Sequence, residues 1–421
     1  MVTRQSVSRK LVMATVIFSL TGIVIWRFHT KEWPELSYSL YARSLYESFI
    51  KNITMSHFPT KVSLQTNTSP IFLLQKDRIA VVCYVPRGQS QVFYFLALLF
   101  GSWKYIQDHK SYIFKDPRNE ANLMEVDLLV FCHPSVCPDI KTVCQPYNQV
   151  NDNLKISNLC WAIEQPFEID ISYNPINSFV MFNRTDIFSI LMPYKYIIRT
   201  DFDVFLTPAL MLWRPNKRVI TGHGGYCAEF NIARLRYIAG KLGLTHRGVH
   251  CVGSTWFGER DLFILLSKKT IELTAYMFIN EFTPKSSGLE TVNFTQNREG
   301  EWPKWWRPVS LLYGAELALN HLIPDFSSEY INELDTPSCS KKLIWESPHI
   351  HCWHSDCEFQ KFTFMAHLNK IIFKKDMIPS KVVHKILESA SEKDIGNMTI
   401  SDYSTYIAWH SVATHFKKWI F

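Results

Sequence analysis

Short apolar segments alternate with longer helical ones through the middle of this 421-residue chain. Ile79–Val85 is a continuous apolar run and Val126–Phe131 is nearly so, which is typical of strands that are covered on both faces. Phe93–Ile106 lies between them and has the length of a helix, and a helical segment at 183–192 precedes a third strand at Tyr196–Arg199. Strands that alternate with helices predict an α/β fold whose sheet is mostly parallel and flanked by helices.

The pattern continues toward the C-terminus. A strand is predicted at Val249–Phe257, and a final helix is predicted to start near Ser401, which is a candidate N-cap. Its candidate apolar face is spaced at helical intervals and consists of Tyr406, Trp409, Val412 and Phe416. The other predicted helices are Glu229–Leu242, Asp261–Phe282 and Pro308–Leu322.

An uncharged apolar run, Leu11–Trp26, lies near the N-terminus and follows a positive cluster that ends with Arg9 and Lys10. The run predicts a transmembrane helix that acts as a signal anchor, with the positive side in the cytosol. A cleaved signal peptide is the alternative, but Trp26 and Arg27 stand where small residues are expected. The predicted division is a cytosolic tail at 1–10, the anchor at 11–27, a lumenal stem at 28–76, a main domain at 77–365 and a C-terminal helical extension at 366–421.

Two further features agree with a lumenal location. Ten cysteines in a chain of this size suit an oxidising compartment, and Cys352 and Cys357 could close a small loop. The glycosylation sequons begin at Asn52, Asn67, Asn183, Asn293 and Asn397. The net charge of +7 is spread along the chain without a basic stripe, which argues against nucleic acid as a partner.

The strongest chemical signal follows the third strand, where the sequence reads Asp201-Phe202-Asp203. Residues two apart on an extended chain point the same way, so both carboxylates project from the carboxyl end of a strand, where ligands bind in open α/β sheets. Two adjacent carboxylates repel each other unless a cation compensates them, and Mg²⁺ and Mn²⁺ prefer such oxygen ligands. A solvated turn with two acids is the simpler alternative.

This segment resembles the Asp-x-Asp element of Golgi glycosyltransferases with the GT-A fold, and the overall likeness is closest to a group of invertebrate type II membrane glycosyltransferase-like proteins. The resemblance implies a GT-A-like domain in which Asp201 and Asp203 bind Mn²⁺ (or Mg²⁺) and a nucleotide-sugar donor. It further implies a single-pass type II protein of the Golgi or endoplasmic reticulum membrane, with the catalytic domain in the lumen.

Three downstream segments are similar to other elements of that family. Gly253 and Ser254 match a small-residue strand that lines the donor site, and Trp256 could stack on a sugar. Glu316 is similar to the acidic catalytic element and would act as the general base, although Leu317 follows it where the family has a second acid. A Glu on a helix surface is the alternative, with Asp325 and Glu301 as weaker candidates for the base.

The third segment contains His349, His351 and His354. The resemblance implies a late histidine as a metal ligand, for which His351 is the first choice and His354 the second, and a lysine that contacts the diphosphate, for which Lys361 is the candidate. A zinc site is the competing interpretation; its ligands would be His349, His351, Cys352 and Cys357.

Taken together, these features predict a metal-dependent glycosyltransferase that moves a sugar from a nucleotide-diphosphate donor to a glycan, lipid or protein acceptor. If the donor phosphate accepts the proton instead of Glu316, the reaction retains configuration. One alternative is a lumenal binding or scaffold protein that keeps the fold and lacks catalysis. Another is a metal-dependent hydrolase that uses the same carboxylates.

Overall fold

A computed structural model of the chain describes residues 77–114, 122–147, 159–165, 176–281, 305, 309–326, 334–352, 357–373, 388 and 393–416. All of these residues belong to one compact unit, Thr66–Phe421. The predicted cytosolic tail, anchor and stem lie outside the described residues, and their boundaries stay predictions. None of the described helices has both the length and the apolar character that crossing a membrane requires.

The strands of the described part are short and mostly buried. They are β1 Arg78–Val85, β2 Glu125–Cys132, β3 Gln145–Pro146, β4 Cys160–Glu164, β5 Tyr196–Arg199, β6 Val204–Leu206, β7 Val219–His223, β8 Val252–Glu259, β9 Thr336–Pro337 and β10 His349–His351.

The helices that are used below are numbered in chain order. They are α1 Gln89–Ala97, α2 Leu99–Asp108, α3 Lys110–Ile113, α4 Cys137–Ile140, α5 Asn177–Val180, α6 Thr185–Leu191, α7 Ala209–Leu212, α8 Glu229–Lys241, α9 Arg260–Asn280, α10 Ser310–Leu322, α11 Lys361–Phe373 and α12 Ile400–His415. Short 3₁₀ turns lie at Met181–Asn183 and Ile344–Glu346.

Seven strands form one sheet in the order β3-β4-β2-β1-β5-β8-β7. Neighbours from β3 to β5 pair in parallel, whereas β8 is antiparallel to both β5 and β7. The predicted α/β class with a mostly parallel sheet flanked by helices is therefore confirmed. A second sheet of three strands has the order β6-β10-β9, and its β6 follows the Asp-x-Asp segment directly.

The hydrophobic core covers one face of the large sheet with helices from both ends of the described chain. Alternate residues of β1, including Ile79, Val81 and Cys83, belong to the same buried cluster as residues of α1, α2, α11 and α12. The alternation is the expected result of side chains that point to opposite faces along a strand. The C-terminal helix α12 thus packs against the elements that follow the first strand.

Most predicted helices begin and end within two residues of the observed bounds, and two differ in other ways. The segment Phe93–Ile106 forms two helices rather than one, because the backbone turns at the buried residue Leu98 (φ −109°, ψ −77°) and both halves contact α12. The last helix begins at Ile400 and its N-cap is Thr399, two residues before the predicted cap Ser401; the Thr399 side chain accepts a hydrogen bond from the Asp402 amide. Its predicted apolar residues, from Tyr406 to Phe416, are buried.

Eight of the ten cysteines form disulfides, which agrees with the oxidising environment that the sequence indicates. The predicted Cys352–Cys357 loop is wrong: Cys352 is buried and free, and Cys357 pairs with Cys339. The pairs are Cys132–Cys137, Cys144–Cys160, Cys227–Cys251 and Cys339–Cys357. The proposed zinc set is also wrong, because a disulfide sulfur is no longer a thiolate ligand.

Candidate functional site

The candidate site lies where several strand ends meet. Strand β5 ends at Arg199, β7 ends at His223, and β8, which runs the opposite way, begins at Val252. These three points therefore share one edge of the sheet, the carboxyl edge of the parallel strands, where ligands bind in open α/β sheets. Asp201 and Asp203 follow β5 directly at this edge.

The Asp201 carboxylate is held by two donors. Arg199 forms an ion pair with Oδ1 at 2.9 Å, and the Ser254 hydroxyl donates to Oδ2 at 2.9 Å. Burial acts to raise the pKa of Asp201, but the Arg199 guanidinium, together with other nearby cations and the Ser254 hydroxyl, outweighs burial and lowers it. Asp201 is thus a fixed anion whose two oxygens already have protein partners, and the structure brings it together with the predicted residue Ser254.

The Asp203 carboxylate contacts a different cation. Lys361, the first residue of α11, places Nζ 2.6 Å from Asp203 Oδ2, and the two side chains are 11% and 18% exposed respectively. Burial acts to lower the pKa of Lys361, but the Asp203 carboxylate outweighs it and raises the pKa. The two predicted residues therefore form a partly buried ion pair, and Lys361 stays positively charged at the site.

The histidines of β10 have different environments although they share one face of the strand. His349 is fully buried; its Nε2 lies 2.7 Å from Thr200 Oγ1 and its Nδ1 contacts the Leu334 carbonyl. A proton on Nδ1 satisfies that carbonyl, so Nε2 accepts from the hydroxyl, and burial lowers the His349 pKa to about 4. His351 is 17% exposed and is the histidine that faces the site.

A residue that the sequence analysis did not single out, Asp335, lies behind His351. Its side chain is fully buried, and its Oδ1 lies 3.3 Å from His351 Nδ1. A Cβ on Gly222 would collide with this carboxylate, and one on Gly253 would lie 2.8 Å from it, so the carboxylate packs against two glycine backbones. Neither Asp335 oxygen has a hydrogen-bond partner with good geometry among the described residues. A buried, unsatisfied carboxylate of this kind calls for an explanation.

The donor set fits a divalent metal. Burial acts to lower the His351 pKa, but Asp335 and the two aspartates of the motif raise it. Asp335 faces Nδ1 of His351, an arrangement found where carboxylates orient metal-binding histidines, and such a histidine would bind the metal through Nε2. With Asp201 engaged by its donors, Asp203 and His351 are the residues best suited to hold Mn²⁺ or Mg²⁺. His354 lies outside the described residues.

The prediction that Trp256 stacks on a sugar is wrong. Its side chain is 1% exposed, lies edge-on to Phe179 at 4.8 Å and donates from Nε1 to the Gly253 carbonyl at 2.9 Å. Because β8 is antiparallel to β5, its first residues lie at the site, whereas Trp256 pairs with Arg199 deeper in the sheet. Gly253 and Ser254 do lie at that edge.

The predicted base, Glu316, lies in the interior of α10 rather than near its start. Its side chain is 4% exposed; Oε1 is 2.6 Å from His250 Nδ1 and 3.5 Å from His246 Nε2. The carboxylate therefore contacts two imidazoles and is largely shielded from solvent. Of the weaker candidates, Asp325 is exposed beyond the end of α10, and Glu301 lies outside the described residues.

The sequence signals for the missed residues were unequal. Asp335 occupies a short segment without any motif, and its importance comes from contacts with glycines and histidines that are distant in sequence. His246 and His250 are four residues apart, a spacing that brings two imidazoles together on a helix and is compatible with a pair of metal ligands. The structure places them in a loop instead, between α8 and β8.

Comparisons with known proteins assign the chain to a family and do not assign it an activity. A search of curated proteins gave no match. Among solved structures, one similar chain is a glycosyltransferase involved in the glycosylation of the major capsid of PBCV-1; it is 9% identical, with 66% of this chain and 94% of that chain covered and a TM-score of 0.28. A likeness at this TM-score is too weak to assign an activity. A family model described as a domain of unknown function, DUF7164, matches residues 74–421, so the chain belongs to the DUF7164 family.

Proposed function

We propose that this protein is a metal-dependent glycosyltransferase of the GT-A type that uses a nucleotide-diphosphate sugar. The observation that carries the proposal is a cluster of charged residues at one strand edge. Lys361 pairs with Asp203, Ser254 of the antiparallel strand bonds Asp201, and His351 interacts electrostatically with both aspartates. The site thus combines carboxylates, an imidazole and a lysine, which suit a metal and a diphosphate. The strand order, with one antiparallel strand beside β5, agrees with this proposal.

Each side chain then has a role that follows from its contacts. Asp203 and His351 would hold the metal, and Lys361 would turn from Asp203 to the diphosphate as the donor binds. Asp201, fixed by Arg199, would orient the donor. Bound Mn²⁺ or Mg²⁺ would supply Lewis-acid neutralisation of the departing diphosphate.

Glu316, the predicted proton acceptor, is poorly placed for base catalysis. Glu316 is buried against His250, and a direct contact with an acceptor hydroxyl would require both side chains to move. A reaction in which the donor phosphate accepts the proton, with retention of configuration, needs no base at this position. We therefore favour that course over base catalysis by Glu316.

The burial of Glu316 also favours a second candidate function, a binding or scaffold protein that holds a nucleotide sugar without transferring it. Both functions predict metal-dependent donor binding, and only the first predicts sugar transfer. The test that separates them is turnover on an acceptor panel of glycans, lipids and peptides, with release of the nucleoside diphosphate as the signal. Nucleotide release that depends on an acceptor would exclude the scaffold; tight binding without release would establish it.

The donor site itself is tested by calorimetry on the full chain with UDP-, GDP- and CMP-linked sugars, in Mn²⁺ and in chelator. The expected result is binding of one nucleotide class that requires metal and is lost in Asp203→Asn. Arg218→Gln is a matched control, because Arg218 is an exposed residue that pairs with Glu259 at the opposite end of β8. Absence of metal-dependent binding across the panel, in a folded protein, would refute the donor site.

The predicted topology is part of the proposal. The four disulfides agree with a lumenal domain of the secretory pathway, and the anchor at 11–27 would hold it at the Golgi or endoplasmic reticulum membrane. Of the predicted sequons, Asn183 and Asn397 are among the described residues, and Asn397 is exposed in a turn. Protease protection of the C-terminal part in sealed microsomes, with a mobility shift on glycosidase treatment, is the expected outcome.

A further inference from the structure

Two histidines and a glutamate form a compact group apart from the Asp-x-Asp site. His246 and His250 lie in the loop between α8 and β8, and Glu316 reaches them from α10. Within the described parts of the chain, this is the group of potential ligands whose donor atoms all lie within 4.8 Å of one another. Two imidazoles and one carboxylate are the donor set that holds Zn²⁺ in several enzymes, with a fourth position left for water or a ligand.

One atom of the group, Nε2 of His246, makes no hydrogen bond to the described residues. The His246 side chain is only 6% exposed, yet its Nε2 is buried and lacks a hydrogen-bond partner. This nitrogen is aimed at the group, 3.5 Å from Glu316 Oε1. A buried polar nitrogen without a partner is costly, and a cation beside it would satisfy the nitrogen and neutralise the buried Glu316 carboxylate.

The loop that carries the histidines is held in place from the same helix. Asn320, one turn after Glu316 on α10, accepts hydrogen bonds at Oδ1 from the amides of Arg247 (2.9 Å) and Val249 (3.1 Å). Its Nδ2 donates to the Val249 carbonyl at 2.8 Å. Directly after His250, Cys251 fixes the end of the loop through its disulfide with Cys227. The ligands are therefore positioned before any ion binds, which favours affinity.

We propose that His246, His250 and Glu316 form a binding site for a divalent transition metal of the Zn²⁺ type, separate from the donor metal at Asp203 and His351. The ion binds His246 through Nε2, His250 through Nδ1 and Glu316 through a carboxylate oxygen. The metal site links the loop before β8 to α10. Because β8 begins at the carboxyl edge of the sheet, the bound ion would also fix the backbone that leads to Ser254. It does not depend on the proposed glycosyl transfer.

The contacts of the two rings define what the ion must displace. Arg236 is exposed and lies 3.0 Å from His250 Nε2, so that Nε2 accepts and Nδ1 carries the proton in the metal-free protein. Metal binding at Nδ1 moves the ring proton to Nε2 and releases Arg236 to solvent. The Gly248 amide, 3.2 Å from His246 Nδ1, must likewise give way. Arg236 is therefore a competitor of the metal.

The test uses the purified full chain, stripped with chelator and titrated with Zn²⁺ alone, with metal content measured in parallel. The expected result is one equivalent of Zn²⁺ that is lost in His246→Ala and in Glu316→Gln. Mutation of residues that only hydrogen-bond to metal ligands lowers metal affinity by about 10–100-fold. Because these two variants remove a ligand itself, their Zn²⁺ affinity should fall by more than that. His133→Ala, a partly exposed histidine after β2, and Asp203→Asn at the donor site should both keep this equivalent.

A variant that binds Zn²⁺ more tightly than the wild-type chain provides a test that misfolding cannot explain. Arg236→Gln removes the competitor at His250 Nε2 and should bind Zn²⁺ about tenfold more tightly, the equivalent of about one net hydrogen bond. Zn²⁺ binding that is absent in the wild-type chain would overturn the proposal. So would binding that is unchanged in His246→Ala and Glu316→Gln, because the group would then be an ordinary hydrogen-bonded cluster.

Discussion

The ion pair between Lys361 and Asp203 provides the sharpest test of the donor site. Their atoms are 2.6 Å apart and the side chains are 11% and 18% exposed, so the attraction is about 6 kcal/mol at an effective dielectric constant of 20. Desolvation of both groups offsets most of this attraction, and the net value for a charged hydrogen bond is about 1.5–3 kcal/mol. We expect Lys361→Met to lower the free energy of unfolding by about 1–3 kcal/mol in chelator.

The sign of the same substitution should change when its partner is missing. Asp203→Asn leaves the Lys361 ammonium largely buried without its carboxylate, which costs more than loss of the pair alone. Adding Lys361→Met to that variant removes the unpaired charge and replaces it with an apolar chain of similar length. The second substitution should therefore be neutral or stabilising, which gives a coupling energy of about 1–3 kcal/mol.

Urea unfolding of the four proteins measures this coupling. Additive effects, within about 0.5 kcal/mol, would show that the two residues do not interact and would refute the reasoning. A second measurement connects the pair to ligand binding. With Mn²⁺ present, Lys361→Met should weaken the binding of a nucleoside diphosphate more than that of the monophosphate, because Lys361 is proposed to contact the diphosphate; equal losses would contradict that role.

Three further predictions concern stability. Gly253→Ala would place a Cβ 2.6 Å from the backbone of β7 and should lower the free energy of unfolding by about 1–3 kcal/mol. Gly240→Ala, with open space around it on α8, should raise the free energy of unfolding by about 0.5–1 kcal/mol. Urea unfolding of the two variants should show these opposite signs. Replacing Cys227 and Cys251 with Ser opens a loop of 24 residues and should cost about 3 kcal/mol by the same assay, and no change would contradict the disulfide. Burial lowers the pKa of His415 to about 4, below the value of about 6.5 in the unfolded chain, so the folded state loses stability as the pH falls from about 6.5 toward 4. His415→Gln should reduce this loss by about 1–3 kcal/mol. An unchanged dependence of the free energy of unfolding on pH would refute the prediction.

Much of the fold could be predicted because its strands are apolar and short. Tyr196–Arg199 was predicted with the bounds that the structure has, and the alternation around it indicated a parallel sheet. The direction of β8 was not predictable, since an antiparallel strand and a parallel one read alike as apolar runs. That direction decides which end of Val252–Glu259 reaches the site, and this is why Ser254 lies there and Trp256 does not.

The candidate site was predictable only where neighbours in sequence act together. Asp201 and Asp203 were found through their spacing at a strand end, and the structure brings Lys361 to them. The different burial of His349 and His351 could not be inferred, because it depends on Thr200, Leu334 and Asp335, which approach β10 from other elements. The difference decides which histidine can hold a ligand.

Asp335 shows why a site can retain a group that packing alone would not select. An asparagine would fill the same volume against the glycine backbones and would carry its own donor. A close fit therefore does not account for a carboxylate whose oxygens have no hydrogen-bond partner among the described residues. The negative charge acts on the histidine at the site: Asp335 Oδ1 lies 3.3 Å from His351 Nδ1 and raises the pKa of that imidazole. A more basic imidazole is a stronger ligand for a metal at its other nitrogen. The cost of the buried charge is therefore consistent with a contribution to ligand binding at the carboxyl edge of the sheet, where Asp203 lies.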